Sequence, residues 1–359
     1  MKLAHPLTLA LSLLAPSAGC TLIAGLGSDF TLAASGEGGI PGTDGGPPLD
    51  GTIGDVTPID LPDVPVPPVS GNGRVLYNVS STYFLVEARS GATAASVTAA
   101  LDAVSPGRDS RMNMGADGSL VVETTRLGCS EACLAIFAPD LRSGERVLPE
   151  GRPVVDMRDV VPAVAGNGAL VVFGGRGPHP RDLFVSARTN GVWSKAALLT
   201  EGSNQPNNFK PSIAPDGSRV IFDCGADPFG SNATGICEVN VNGTGFRRVI
   251  GPEGGPGGGK NTHSPGYARD GTIVFEGEWG AEQIWRIPPG GAPSPVNGSF
   301  SNDNTPCVLP NGNIVSLWLQ RPGNTANNHE LKMMNADGSG MVMLTQGFDI
   351  NDIGLGCGN

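Results

Sequence analysis

Lys210 to Ile250 reads KPSIAPDGSRVIFDCGADPFGSNATGICEVNVNGTGFRRVI. A short apolar run (Pro211 to Ala214) meets a tight turn (Pro215, Asp216, Gly217), and an alternating strand follows from Arg219 to Asp223. Beyond an irregular loop come a third strand (Ile236 to Val241), a polar hairpin turn (Asn242 to Gly245) and a fourth strand (Phe246 to Ile250). Proline presets φ, aspartate bonds its own backbone and glycine supplies positive φ, so Pro-Asp-Gly is a turn for stated physical reasons. Four strands in about forty residues form a small antiparallel meander that cannot cover both of its faces.

The unit recurs. Asn72-Gly73, Asp117-Gly118, Asn167-Gly168, Asp216-Gly217, Asp270-Gly271 and Asn311-Gly312 repeat the turn, with glycine-to-glycine gaps of 45, 50, 49, 54 and 41. A β-rich run follows each glycine (RVLYNV, SLVVETT, ALVVFGG, SRVIFDC, TIVFEGE, NIVSLWL), and a second run follows that across a loop. Six copies of about four strands each predict an all-β chain built as a six-bladed β-propeller.

Particular residues carry a family likeness. Asn240 to Gly245 followed by Arg247, and Asn335 to Gly340 followed by Met343 to Thr345, resemble the turn between the last two strands of TolB-type propeller repeats. Pro211 to Gly217 is similar to that family's Pro-x-x-Ser-Pro-Asp-Gly segment. The resemblance covers about residues 70 to 359 and implies a fold more than an activity, since propellers host binding, scaffolding and several chemistries.

Composition agrees with many turns: 54 Gly, 31 Pro and only 5% aromatic residues. No long helix is predicted, and Ala92 to Val104 reads as a helix or an outer strand. A net charge of −11 without a basic cluster excludes a nucleic-acid surface.

Residues 1–19 read as a secretory signal, too short to span a membrane. Ser17-Ala18-Gly19-Cys20 resembles a bacterial lipobox, which makes Cys20 the lipidation site. Thr21, in place of the aspartate that retains such proteins at the enterobacterial inner membrane, implies an outer-membrane anchor. Residues 20–69 contain no Lys or Arg and are rich in Gly, Pro and Asp, the composition of a disordered tether, leaving 70–359 as the propeller.

Setting Cys20 aside leaves six of the 7 cysteines, an even number in an exported chain, which favours disulfides. Cys129 with Cys133 and Cys224 with Cys237 each flank the loop between a second and a third strand, which leaves Cys307 with Cys357. A metal or redox role for Cys129 and Cys133 lacks a second such pair or a nearby His. The last residues, FDINDIGLGCG, resemble the opening of another repeat and are expected to supply the inner strand missing from the first blade. A Cys307 to Cys357 bond then locks the seam.

Loops entering inner strands, and loops joining second to third strands, fall on one propeller face around the channel mouth. His179, His263, His329, Trp279, Asp227, Asn208, Asp303, Asn304 and Asp352 map there. Asp, Asn and His at a mouth could bind a divalent cation, and oligogalacturonate-lyase-like propellers use several His with a metal, although no matching motif surrounds these three. The simpler expectation is that Asn or Asp before an inner strand satisfies turn backbone groups. Glu123, Asp223 and Glu276 end second strands and read as solvated strand ends. The functional expectation is a monomeric, non-catalytic, cofactor-free module that binds a protein or an envelope glycan, with a metal-dependent carbohydrate-active enzyme as the alternative.

Overall fold

The computed structural model describes residues 71–129, 132–147, 161–165, 167–226, 234–251, 253, 261–319, 328–346, 349–351 and 355–359. Cys20, the expected tether, Asp227 and Asp352 lie outside them.

In the opening stretch, Gly217 N–H donates to the Ala214 carbonyl at 2.8 Å, and Ser218 N–H to the Asp216 carboxylate at 3.0 Å. This is the turn that Pro-Asp-Gly dictates. All six repeat glycines have φ between 68° and 91°, a region nearly closed to other residues.

Around these turns stand six four-stranded antiparallel blades, each running from an inner to an outer strand. Blade 1 is Gly356–Gly358, Arg74–Val79, Thr82–Glu87 and Ala95–Ser96. Blade 2 is Asp109–Met114, Leu120–Thr124, Cys133–Phe137 and Gly144–Arg146. Blade 3 is Ala163–Val164, Leu170–Gly175, Asp182–Thr189 and Ala197–Leu198, with Val192–Trp193 extending its third strand as a hairpin. Blade 4 is Asn207–Ile213, Arg219–Gly225, Thr234–Asn240 and Arg247–Ile250. Blade 5 is Thr262–Tyr267, Ile273–Glu278, Glu282–Ile287 and Ser294–Pro295. Blade 6 is Asp303–Val308, Ile314–Trp318, Glu330–Met334 and Val342–Met343.

Alternation along the second strands builds the core. Successive side chains leave opposite faces of a strand. Val220 and Phe222 therefore meet Leu170 and Val172 of blade 3, while Ile221 meets Phe275 and Trp285 of blade 5. One such apolar cluster fills each of the six blade interfaces. Every blade thus covers its neighbours' flanks, which a single meander could not do.

The ring closes as expected: Cys357 pairs with Val75, and Gly356 with Leu76. The Cys307–Cys357 disulfide joins the inner strands of blades 6 and 1, with the Cα atoms 5.7 Å apart. Cys129–Cys133 and Cys224–Cys237 are also bonded. The second of these does not sit at a loop mouth. Cys224 pairs with Gly235 and Cys237 with Phe222, so the bond crosses the two strands diagonally inside the blade 3–4 core.

Residues 92–104 satisfy both of their readings. Ala95–Ser96 is the outer strand, and a helix, Val97–Val104, starts directly after it, with the Ser96 hydroxyl accepting from Ala99 N–H at 3.2 Å. Val97 and Leu101 bury its apolar side against blades 1 and 2. Among the described residues no helix is long and apolar enough to cross a membrane.

Two faces result. One carries the first-to-second-strand turns with their glycines. The opposite face carries the second-to-third-strand loops and the entries to the inner strands, and it forms the mouth.

Candidate functional site

The inner strands of all six blades line a central channel, a cavity of about 130 Å³ bordered by Asn113, Val164, Lys210, Ser264, Thr305 and Cys357, one residue from each blade. Its wall has a repeated local feature. Lys210, Ser264 and Thr305 have φ of 49°, 52° and 46°, and each precedes a proline, where the extended conformation is normally preferred. Each inner strand is bulged at that residue. At Ser264 and Thr305 the left-handed residue turns its N–H sideways, out of its own ladder and towards the preceding blade.

Buried carboxylates receive these N–H groups. Ser264 N–H donates to Asp223 Oδ2 at 3.2 Å, and Thr305 N–H to Glu276 Oε2 at 3.0 Å. This corrects the reading of Asp223 and Glu276 as solvated strand ends, because they are 0% and 7% exposed. A carboxylate can be buried there because the bulge of the next blade presents it with a donor. Glu123, by contrast, is half-buried and accepts from the Ser110 hydroxyl at 2.6 Å. The signal was legible: Lys210-Pro211, Ser264-Pro265 and Thr305-Pro306 all begin seven residues ahead of their turn glycines.

His263 links this wall to the rim. Its Nδ1 lies 3.7 Å from Asp223 Oδ2, and its Nε2 lies 3.7 Å from Glu278 Oε1. Burial disfavours the imidazolium, but hydrogen bonding and charge from Asp223, with the charge of Glu276, outweigh it and hold the pKa above 6.5. A raised folded-state pKa means that the imidazolium's contribution to stability is fully present below about pH 6.5 and disappears as pH rises through the elevated value. An NMR titration is expected to place the His263 midpoint above 6.5, and Asp223→Asn is expected to move it down. A midpoint unmoved by Asp223→Asn refutes the assignment.

Around His263, carboxyl oxygens of Glu276, Glu278 and Glu282 lie within 4.8 Å of one another. Burial raises the Glu276 pKa, while His263 and Lys210 act in the opposite sense. Lys210 Nζ donates to the Ser264 hydroxyl at 2.9 Å, and Asn261 Nδ2 to Glu278 at 3.4 Å. Oxygen donors so arranged suit a hard divalent cation.

The other expected residues do not join this group. His179 Nδ1 is 3.0 Å from Asp182, whose fully buried carboxylate also accepts from the His179 N–H and the Thr200 hydroxyl. His329 Nδ1 is 3.7 Å from Asp349, and its carbonyl accepts from Ile350 N–H at 3.1 Å, which ties down the closing segment. The three histidines thus have separate carboxylate partners: Asp182 for His179, Asp223 and Glu278 for His263, and Asp349 for His329. Among the described residues, the one group of three potential metal ligands contains none of them.

Asn208 is fully buried, accepting from the Ser203 hydroxyl and donating to the Arg181 and Gln205 carbonyls. Asp303, equally buried, accepts from Phe300 N–H at 2.8 Å and pairs with Lys332. These are the backbone-capping roles expected of Asn and Asp before an inner strand. Asn304 is 8% exposed and its Oδ1 has no partner among the described residues. Trp279 lies at the tip of its hairpin, but its ring packs edge-on to Phe275 and Trp285 in the blade 4–5 cluster, so its position is one of packing.

Six blades, ring closure by the C-terminal strand and the cross-seam disulfide define a six-bladed β-propeller. Its architecture is that of TolB propellers. The chain is similar to TolB from Acinetobacter baumannii at 13% identity and TM-score 0.57, covering 81% of this chain and 68% of that one. It is also similar to a protein assigned as TolB from Agrobacterium tumefaciens, at 16% identity and TM-score 0.51, covering 79% and 92%. Hydrazine synthase of Kuenenia stuttgartiensis is similar at 11% identity and TM-score 0.54, covering 80% of this chain and 47% of that one. No family model and no curated protein sequence matches.

Proposed function

We propose that this chain is an exported, envelope-tethered propeller that binds a protein or glycan of the envelope at its channel mouth without catalysing a reaction. One observation carries the reading. The polar groups expected to converge as a reactive set are separately engaged: His179 with Asp182, His329 with Asp349, and Asp303 with Lys332. Such engagement makes a rigid polar face, suited to recognition by shape and hydrogen bonding. Three disulfides favour an oxidising compartment, in keeping with export. The tether is anchored through a lipid on Cys20, and mass analysis of the mature N-terminus, expected to show an acylated cysteine, tests that part.

A photo-crosslinking residue at position 282, on the mouth, is expected to capture one discrete envelope partner, and the same residue at position 270, on the opposite face, is expected to capture none. Equal capture from both faces overturns the proposal. The alternative enzyme reading has one observation in its favour, the convergence of Glu276, Glu278 and Glu282. It requires stoichiometric metal that is lost in Glu278→Gln/Glu282→Gln, together with polysaccharide turnover lost in the same variant.

A further inference from the structure

We infer that Glu276, Glu278 and Glu282 of blade 5, together with Asn304 of blade 6, form a non-catalytic calcium site at the channel mouth. Alternation and register assemble the carboxylates. Glu276 and Glu278 stand two residues apart on the second strand of blade 5 and so leave the same face, and Glu282 is directly opposite Glu278 across the hairpin. Like charges facing each other in an antiparallel pair destabilise it. The cationic side chains beside them are shared. His263 lies 3.7 Å from Glu278 but also 3.7 Å from Asp223, and the Lys210 ammonium donates to the Ser264 hydroxyl. The three glutamate oxygens lie within 4.8 Å of one another. Oxygens on opposite sides of a calcium ion stand about 4.6–5.2 Å apart, so the three already fall within the span of one calcium coordination sphere.

Blade 6 supplies the independent observation. Asn304 holds there the position of His263 in blade 5, directly before the left-handed residue and its proline. His263 approaches Asp223 Oδ2, the same oxygen that accepts from Ser264 N–H. The corresponding oxygen for Asn304 is Glu276 Oε2, which accepts from Thr305 N–H at 3.0 Å. On the other side of Asn304, Asn302 N–H donates to the Glu282 carbonyl at 2.9 Å. The Asn304 amide is thus held between Glu276 and Glu282. It is 8% exposed, and its Oδ1 has no partner among the described residues. A buried carbonyl oxygen beside carboxylates finds no donor in them, whereas a cation satisfies all of these oxygens together. An all-oxygen set selects a hard ion over zinc or copper. The consequence for function is that calcium ties the blade 5 hairpin to the entry of blade 6 and sets the shape of the mouth, which departs from the expectation of a cofactor-free module.

The test uses the full chain, stripped with EDTA and dialysed, with calcium chloride as the probe. Calorimetric titration is expected to show a single saturable site with Kd of about 10⁻⁴–10⁻³ M, the range of extracellular calcium modules. Calcium at about 10 mM is expected to raise Tm by about 3 °C or more, the linkage of a ligand present at tens of times its Kd. Magnesium, which demands octahedral geometry at about 2.0–2.1 Å, is expected to bind more weakly. Glu278→Gln/Glu282→Gln is expected to weaken calcium binding by roughly tenfold or more, Asn304→Ala to weaken it, and Asn304→Asp, which adds a charge, to tighten it. In chelator the double glutamine variant is expected to be at least as stable as the parent, because the opposed charges are gone. A parent with no saturable calcium site, equal affinity for magnesium, calcium affinity unchanged in the double variant or in Asn304→Ala, or a double variant less stable than the parent in chelator each overturns the inference. None of these readouts depends on turnover or on what else the mouth binds.

Discussion

Replacing Cys307 and Cys357 by serine is expected to destabilise the protein by about 4 kcal/mol, roughly twice the effect of removing Cys129–Cys133. The two bonds differ in the loop they close. Cys307–Cys357 spans 50 residues and Cys129–Cys133 spans 4. In the chain-entropy account the denatured state gains freedom with the logarithm of that number, about 4 kcal/mol for the long loop and about 2 kcal/mol for the short one. A loss of about 4 kcal/mol corresponds to a fall in Tm of the order of 10 °C for a domain of this size. The seam also bears more than entropy. Blade 1 receives its inner strand from Gly356–Gly358, and Arg74 Nε donates to the Asn359 carbonyl at 2.7 Å across the same junction. Deleting residues 355–359 leaves Arg74–Val79 as an open sheet edge, and concentration-dependent association is expected in addition to the lost stability. Urea denaturation of the two double-serine variants, beside size-exclusion chromatography of the deletion, measures both effects. A Cys307/Cys357 variant no less stable than the Cys129/Cys133 variant removes the seam from its proposed role.

How much of this was legible follows from which forces act locally. The turns at Gly118, Gly217, Gly271 and Gly312 announce themselves because φ near 70–90° excludes most other residues. Repetition then supplies the blade count. Closure was legible from a deficit: the first repeat lacks an inner strand, and the C-terminal segment has one to offer. The Cys224–Cys237 geometry was not legible, since a spacing of 13 fits either a loop mouth or a diagonal within the sheet.

The site was harder to read because its chemistry passes between blades. Asp223 at the end of a second strand resembles any solvated carboxylate until the N–H of Ser264, forty-one residues later, is seen to point at it. Nothing near Asp223 in the sequence announces that donor. The left-handed Ser264 does so only when aligned with Lys210 and Thr305. The histidines misled for the opposite reason. The repeat puts them in loops of the mouth side, but the carboxylate beside each, Asp182 three residues beyond His179 and Asp349 in the closing segment beside His329, decides where the ring is fixed.

The pair that the sequence concealed most thoroughly makes the other large prediction. Lys332 lies on the third strand of blade 6, fully buried, with its ammonium against Asp303, the Gly298 carbonyl at 3.1 Å, and the rings of Phe300 and Trp318 at 5.0 and 4.9 Å. Burial lowers the lysine pKa and raises that of the aspartate, and each partner's charge opposes the shift of the other. Lys332→Met is expected to cost about 3–5 kcal/mol, because it strands a buried carboxylate whose Oδ1 already has no partner among the described residues. Lys332→Met/Asp303→Asn removes the charge as well, so the double variant is expected to be more stable than Lys332→Met alone. The pH dependence has a definite sign. An acid whose folded pKa lies above its unfolded value of 3.8 destabilises the fold progressively as pH rises through that interval. The cost of Lys332→Met is therefore expected to be larger at pH 7.5 than at pH 4.5, read as the difference in urea midpoints from the parent protein. If the cost is equal at the two pH values, or the double variant is the less stable one, then the carboxylate is not what the lysine compensates. Lys332 would then act through its packing beneath Phe300 and Trp318.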